Sequence, residues 1–252
     1  MKTVFSMLLT LLLVCTSCGN DDNSTIQATN ITFNFNHDWD GNQVTNTNFN
    51  TLDFTNENGE KMSITKLRYL ISDIVFTDEN DIETRIDGYN LVDVTNAEGL
   101  SFTATSGLAN GTYKNVSFTF GFNNNDNYQN YTDLNSASWN VPSMLGGGYH
   151  FLQLEGKFID STNDEVGYAY HAIRAVDNSV SPQKFQDTFF EVNLGEVTIS
   201  NNTVFNINMN IAEWFKGPNT WDLNVLNNML MPNFDAQVMM FENGQNVFSL
   251  EP

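Results

Sequence analysis

Strict two-residue alternation is the feature that most limits what this chain can fold into. In "ITFNFNHDW", Ile31, Phe33, Phe35, His37 and Trp39 fall on one side, and Thr32, Asn34, Asn36 and Asp38 on the other. A period of two puts one set on the buried face of a pleated strand and turns the other toward water. Similar signals recur at 50–55, 89–95, 113–122, 149–159, 166–176, 189–199 and 204–211, separated by Asn- and Gly-rich turns such as "ENGE" and "DSTND". "SITKLRYLISDIVF" fits both a strand and a helical period, and its strand-like neighbours favour a strand. "TWDLNVLNNML" and "FDAQVMMFENG" read as short helices, and "NVFSL" as a closing strand. The expected fold is mainly β: an antiparallel β-sandwich with a few short peripheral helices near the C-terminus, built as one domain over residues 31–252.

Composition narrows the partners. Acidic residues outnumber basic ones 30 to 10, giving a net charge of −20. Such a surface repels phosphate backbones, which argues against nucleic acid and for cations. The first 18 residues combine Lys2, the apolar run "MLLTLLLV" and small residues, the layout of a signal peptide. "CTSC" resembles the lipobox of bacterial lipoproteins, in which Cys18 would carry the lipid, although Cys15 stands where leucine is usual. The following "GNDDN" resembles the acidic export tag of surface lipoproteins in Bacteroidota-type bacteria. Residues 19–30 read as a polar tether. The expected location is a lipid-anchored one in the cell envelope, at the outer membrane and facing the surface. Both cysteines lie in the leader, so the domain beyond it has neither disulfide nor thiolate ligand.

The chain has three histidines, His37, His150 and His171, and each sits inside a β-like run. A single histidine on an apolar face is ordinarily a hydrogen-bonded core residue. Three of them in a thiol-free domain are also its leading nitrogen ligands for copper, zinc, iron or nickel. "GGGYHFLQLEGKFID" and "EVGYAYHAIRAV" read as two arms of one hairpin; a turn near Asn163 would set His171 opposite Leu154, so the two imidazoles need not meet. Met229, Met231, Met239 and Met240 read as core filler. No G-x-S-x-G elbow, H-E-x-x-H pair, nucleophilic cysteine or phosphate-binding glycine loop is present, so the chain reads as a binder and not an enzyme.

Taken in order, "ITFNFNHDWDG", "ITKLRYLISDIVF", "YNLVDVT", "GTYKNVSFTFGF", "GGGYHFLQLEGKF", "YAYHAI" and "ENGQNVFSL" resemble the MbnP-like copper-binding proteins. That resemblance implies an exported protein that handles copper without catalytic turnover. It also implies a tryptophan oxidised to kynurenine by a di-haem peroxidase-like partner, with histidines joining that group around the metal. His37 and His171 match family positions and are the expected functional pair. His150 is expected at the rim of the site, and Trp39 or Trp139 is the candidate for the modified tryptophan or for a neighbour of the ligands. The competing reading is a surface β-sandwich lipoprotein of the nutrient-uptake type that binds glycan or a protein partner and uses its histidines structurally.

Overall fold

A computed structural model describes residues 29–106 and 108–251. The leader, Cys18 and all but the last two residues of the expected tether lie outside the described residues. The principal strands are β1 (Thr29–Trp39), β2 (Lys61–Thr77), β3 (Glu83–Asp93), β4 (Ser101–Ser106), β5 (Asn115–Phe120), β6 (Leu152–Ile159), β7 (Glu165–Ala172), β8 (Phe190–Asn193), β9 (Thr203–Asn210) and β10 (Phe248–Leu250). The helices are α1 (Asn124–Asn127), α2 (Thr132–Ser136) and α3 (Phe234–Gly244).

Two sheets face each other. The first runs β10-β9-β1, with β4 and the short strand Asn42–Gln43 also pairing with β1. The second runs β7-β6-β2-β5-β8, with β3 paired to β2. Among the described residues every strand pairing is antiparallel except β1 with β9, which lie parallel from Ile31↔Thr203 to Asp38↔Asn210. β1 opens at Thr29, two residues earlier than the alternation indicates.

The alternation of β1 translates directly into burial: Ile31, Phe33, Phe35, His37 and Trp39 are buried, and the residues between them are partly exposed. Phe33 meets Phe76 of β2 at 6.3 Å between ring centroids and Phe205 of β9 at 5.5 Å. Phe35 meets Tyr69 of β2 edge-on at 6.3 Å. Aromatic side chains from both sheets therefore fill the space between them. β2 is a strand along its whole length, which resolves the ambiguity of "SITKLRYLISDIVF".

The helices depart from expectation. α3 forms as expected, with the Asn233 side chain accepting from the Ala236 N–H at 3.1 Å. "TWDLNVLNNML" is a series of turns instead. Trp221 and Leu223 are both fully buried, and Trp221 Nε1 donates to the Leu226 carbonyl at 2.8 Å, which folds the segment back on itself. α1 and α2 lie in mid-chain, well ahead of the C-terminal region where the helices were expected. Asn123 caps α1 by accepting from the Asn125 and Asp126 N–H groups. Among the described residues no helix is long and apolar enough to cross a membrane.

The outer face of the second sheet positions the site. Leu152, Leu154 and Phe158 of β6 point into the core, and so do Tyr168 and Tyr170 of β7 and Leu67 and Tyr69 of β2. Their neighbours Gln153, Glu155, His171, Lys66 and Arg68 therefore point outward. The segment carrying α1 and α2 covers part of that outer face, where Leu70, Phe122, Leu134, Trp139 and Tyr149 form a second, smaller apolar cluster.

Candidate metal centre

The glycines of "LGGGYH" build the site locally. Gly146, Gly147 and Gly148 have φ of 95°, 69° and 78°, three successive left-handed residues that side chains disfavour. A Cβ on Gly148 would lie 2.5 Å from the Asn127 amide, and one on Gly146 would lie 2.7 Å from the Phe185 ring. The run turns the chain back on itself, so that Val141 N–H bonds the Gly148 carbonyl at 2.8 Å and His150 N–H bonds the Trp139 carbonyl at 3.0 Å. Two residues 11 apart in sequence thus become neighbours.

His150 does not continue the alternation of β6. The strand starts only at Leu152, and a bend at Phe151 intervenes. Phe151 and Leu152 both enter the main core. His150 instead joins Trp139 and His171 on the outer side, with ring centroids 5.6 Å from Trp139 and 5.3 Å from His171. The hairpin register is Gln153↔His171, one residue from the expected Leu154↔His171.

The proton on each imidazole follows from its partner. His150 Nδ1 lies 2.8 Å from the Trp139 carbonyl, which can only accept, so Nδ1 carries the hydrogen and Nε2 the lone pair. That Nε2 is buried and has no hydrogen-bond partner. Burial pushes the His150 pKa down to about 4, opposed by the Trp139 carbonyl and reinforced by His171 and Arg68. His171 Nε2 lies 2.9 Å from Glu155 Oε1. The bond from His171, helped by Lys66 at 2.8 Å, holds the Glu155 carboxyl down at about 2, so it too can only accept. His171 therefore donates from Nε2, and in the neutral ring Nδ1 is the nitrogen left to bind a ligand. Fixing a ligand's tautomer through its far nitrogen is how metal-binding histidines are ordinarily prepared.

Trp139 is fully buried, with the Arg68 guanidinium 5.1 Å above its ring. Arg68 donates to the Ala137 carbonyl and to Gln153 Oε1. Trp139 Nε1 and Arg68 Nε are buried without partners, like His150 Nε2. Three orphaned polar atoms in one cluster are unusual in a folded protein and ask for an explanation. Among the described residues no three His, Cys, Asp or Glu side chains converge in metal-binding geometry. The nitrogen donors here number two, fewer than the four ligands of a structural zinc site.

The expected pairing of His37 with His171 is corrected by these positions. His37 lies in the core, 4% exposed, with Nε2 3.0 Å from the Tyr69 hydroxyl. His171 lies across Gln153 from Arg68. Tyr69 and Arg68 are consecutive on β2 and point to opposite faces, so the sheet itself separates the two histidines. His150, expected at the rim, is the more deeply buried member of the pair that does form. Trp39 packs on Phe54 and Phe215 at 4.9 and 5.9 Å and donates from Nε1 to the Thr55 carbonyl, away from that pair. Arg68, Gln153 and Lys66 were not singled out from sequence. Their signal was a set of polar residues alternating along two otherwise apolar strands.

The comparisons with known proteins agree with this fold. The MbnP family profile matches residues 28–237. The chain belongs to the MbnP family. Among solved structures, MbnP from Methylosinus trichosporium is similar with a TM-score of 0.50 and 11% identity, covering 75% of this chain and 78% of that one. No curated protein sequence matches it. As an MbnP-family β-sandwich, the chain keeps His37 as a core residue. Burial alone pushes that imidazole down to about 4. Below the unfolded value near 6.5 the unfolded chain takes up a proton that the folded one does not, so stability is lost as pH falls from about 6.5 to 4. The full loss is on the order of 3 kcal/mol. Urea unfolding of the protein and of His37→Phe across that window should show the wild type losing more stability toward acid; parallel curves would refute it.

Proposed function

We propose that this MbnP-family chain is an exported, lipid-anchored copper-binding protein of the cell envelope that holds its cargo between His150 and His171 and catalyses no reaction. The observation that carries this reading is the buried, unpartnered Nε2 of His150, a residue 5% exposed with its tautomer fixed, 5.3 Å ring to ring from a second imidazole. A buried acceptor left without a partner costs free energy unless a proton donor or a cation takes up its lone pair. Metal–nitrogen bonds of about 2 Å allow one ion to bridge rings at this separation. The net charge of −20 favours a cationic cargo. Copper itself comes from the family resemblance; imidazole nitrogen suits copper, though not copper alone.

If the family's tryptophan modification occurs in this chain, its site is Trp139, whose ring lies against His150, and not Trp39 in the core. A di-haem peroxidase-like enzyme would then be the partner, and peptide mass spectrometry of protein from its native envelope identifies the residue. The lipid anchor at Cys18 belongs to the same reading. The decisive experiment is competitive Cu(I) titration of the folded protein against a chromogenic chelator, with metal analysis of natively isolated protein. Stoichiometric copper in both supports the reading. A folded protein that never competes and carries no copper returns the surface-lipoprotein reading, with glycan or protein partners.

A further inference from the structure

Beside His171 lies an open cleft of about 500 Å³ lined by Met144, Met229, Met231, Leu145 and Pro232. Two of its methionines stand out. Met144 and Met229 are each 74% exposed, the most exposed of the large apolar side chains among the described residues. Their position overturns the expectation of core filler for Met229, whereas Met240 of α3 is indeed buried at 1%. Exposing two such side chains forfeits burial free energy. Met229 also has a φ of 55°, a left-handed conformation that a long side chain rarely adopts. Met144 sits on the turn Ser143–Leu145, just ahead of the glycine run, and the Asn178 amide holds its carbonyl at 3.3 Å. The loop that places His150 in the site therefore also carries one of the thioethers.

His171 connects the two regions. It lines the cleft and is partly exposed, whereas His150 behind it is 5% exposed. An ion arriving from solvent meets sulfur first, then His171, then His150. Thioether sulfur is a soft, neutral donor that favours Cu(I) over the hard cations of the medium.

We propose that Met144, Met229 and Met231 form a thioether site at the cleft mouth that captures Cu(I) and passes it to His171. The hand-over is ligand exchange: sulfur–copper bonds break as nitrogen–copper bonds form, copper stays monovalent, and no proton or electron moves. The capture site stands on the cleft alone; the hand-over rests on the His150–His171 reading.

The test uses Ag(I), a redox-inert stand-in for Cu(I), with methyl-labelled methionine followed by NMR. In the protein and in a His150→Ala, His171→Ala double variant, Ag(I) should shift the Met144, Met229 and Met231 methyl signals and leave buried Met240 in place. Unmoved signals in both, or shifts in the wild type alone, overturn the capture site. Shifts in the double variant with no histidine-dependent copper binding would keep the capture site and sink the copper reading of the histidines. Replacing all three methionines by leucine keeps their apolar bulk and removes sulfur. That triple variant should load Cu(I) onto the histidines about tenfold more slowly, within the range over which related association rates vary. Equal loading rates overturn the hand-over.

Discussion

Cu(I) affinity should collapse in His150→Ala and in His171→Ala and stay at the wild-type level in His37→Ala. The first two substitutions each remove one of two nitrogen donors whose rings lie 5.3 Å apart. The third removes an imidazole that faces Tyr69 on the opposite side of the second sheet. Glu155→Gln should fall between them. Its carboxylate fixes the His171 tautomer from 2.9 Å, and partners of that kind are worth about 10–100-fold in metal affinity. Chelator competition orders the four variants, and unfolding curves on the same samples separate lost ligands from lost folding. A result in which His37→Ala abolishes binding while the fold survives would overturn the assignment.

Gly156→Ala should be among the most damaging single changes in the fold, and Gly167→Ala, on the partner strand of the same hairpin, should be nearly silent. A Cβ at Gly156 would lie 1.9 Å from the Ser63 carbonyl oxygen and 2.8 Å from the Tyr168 ring. Because the first obstacle is backbone, β6 and β2 would have to separate where the register shifts between Ile64 and Lys66. Overpacking of this kind costs on the order of 3 kcal/mol or more. At Gly167 the nearest atom, the Gly156 carbonyl oxygen, is 3.9 Å away, an ordinary contact. Denaturant midpoints compare the two directly. Equal midpoints would show that β2 and β6 yield without cost.

How far the sequence could be read depended on whether the signal was local. In β1 the alternation is the burial pattern itself, so the inward placement of Phe33, Phe35, His37 and Trp39 followed from spacing alone. The same rule failed at His150, because alternation was carried backward through Phe151, where the chain bends and both Phe151 and Leu152 enter the core. The glycine run marked the irregularity but not its direction. The contact of His150 with His171 also needed the hairpin register, and one residue of error there moves a side chain to the other face. Trp139 was legible as a candidate but not as a neighbour, since only the reversal at Gly146–Gly148 brings it to His150. At 220–230 apolar spacing imitated a helix. The segment's turns are held by Asp222, whose side chain accepts from the Asn224 N–H and whose carbonyl accepts from the Leu226 N–H.

The parallel pairing of β1 with β9 bears on how the protein comes into being. Asn34 and Asn206, joined side chain to side chain across these strands, are 172 residues apart. Synthesis presents β1 well before β9, so β1 waits for its neighbour while the residues between them emerge. During that wait the ladder edge of β1 and its Phe33 and Phe35 rings lack their final cover. Non-local pairing of this sort slows folding and leaves strands open to aggregation. Truncation before residue 203 should therefore leave β1 unable to complete its sheet, and a holding chaperone would act on this chain most usefully at β1.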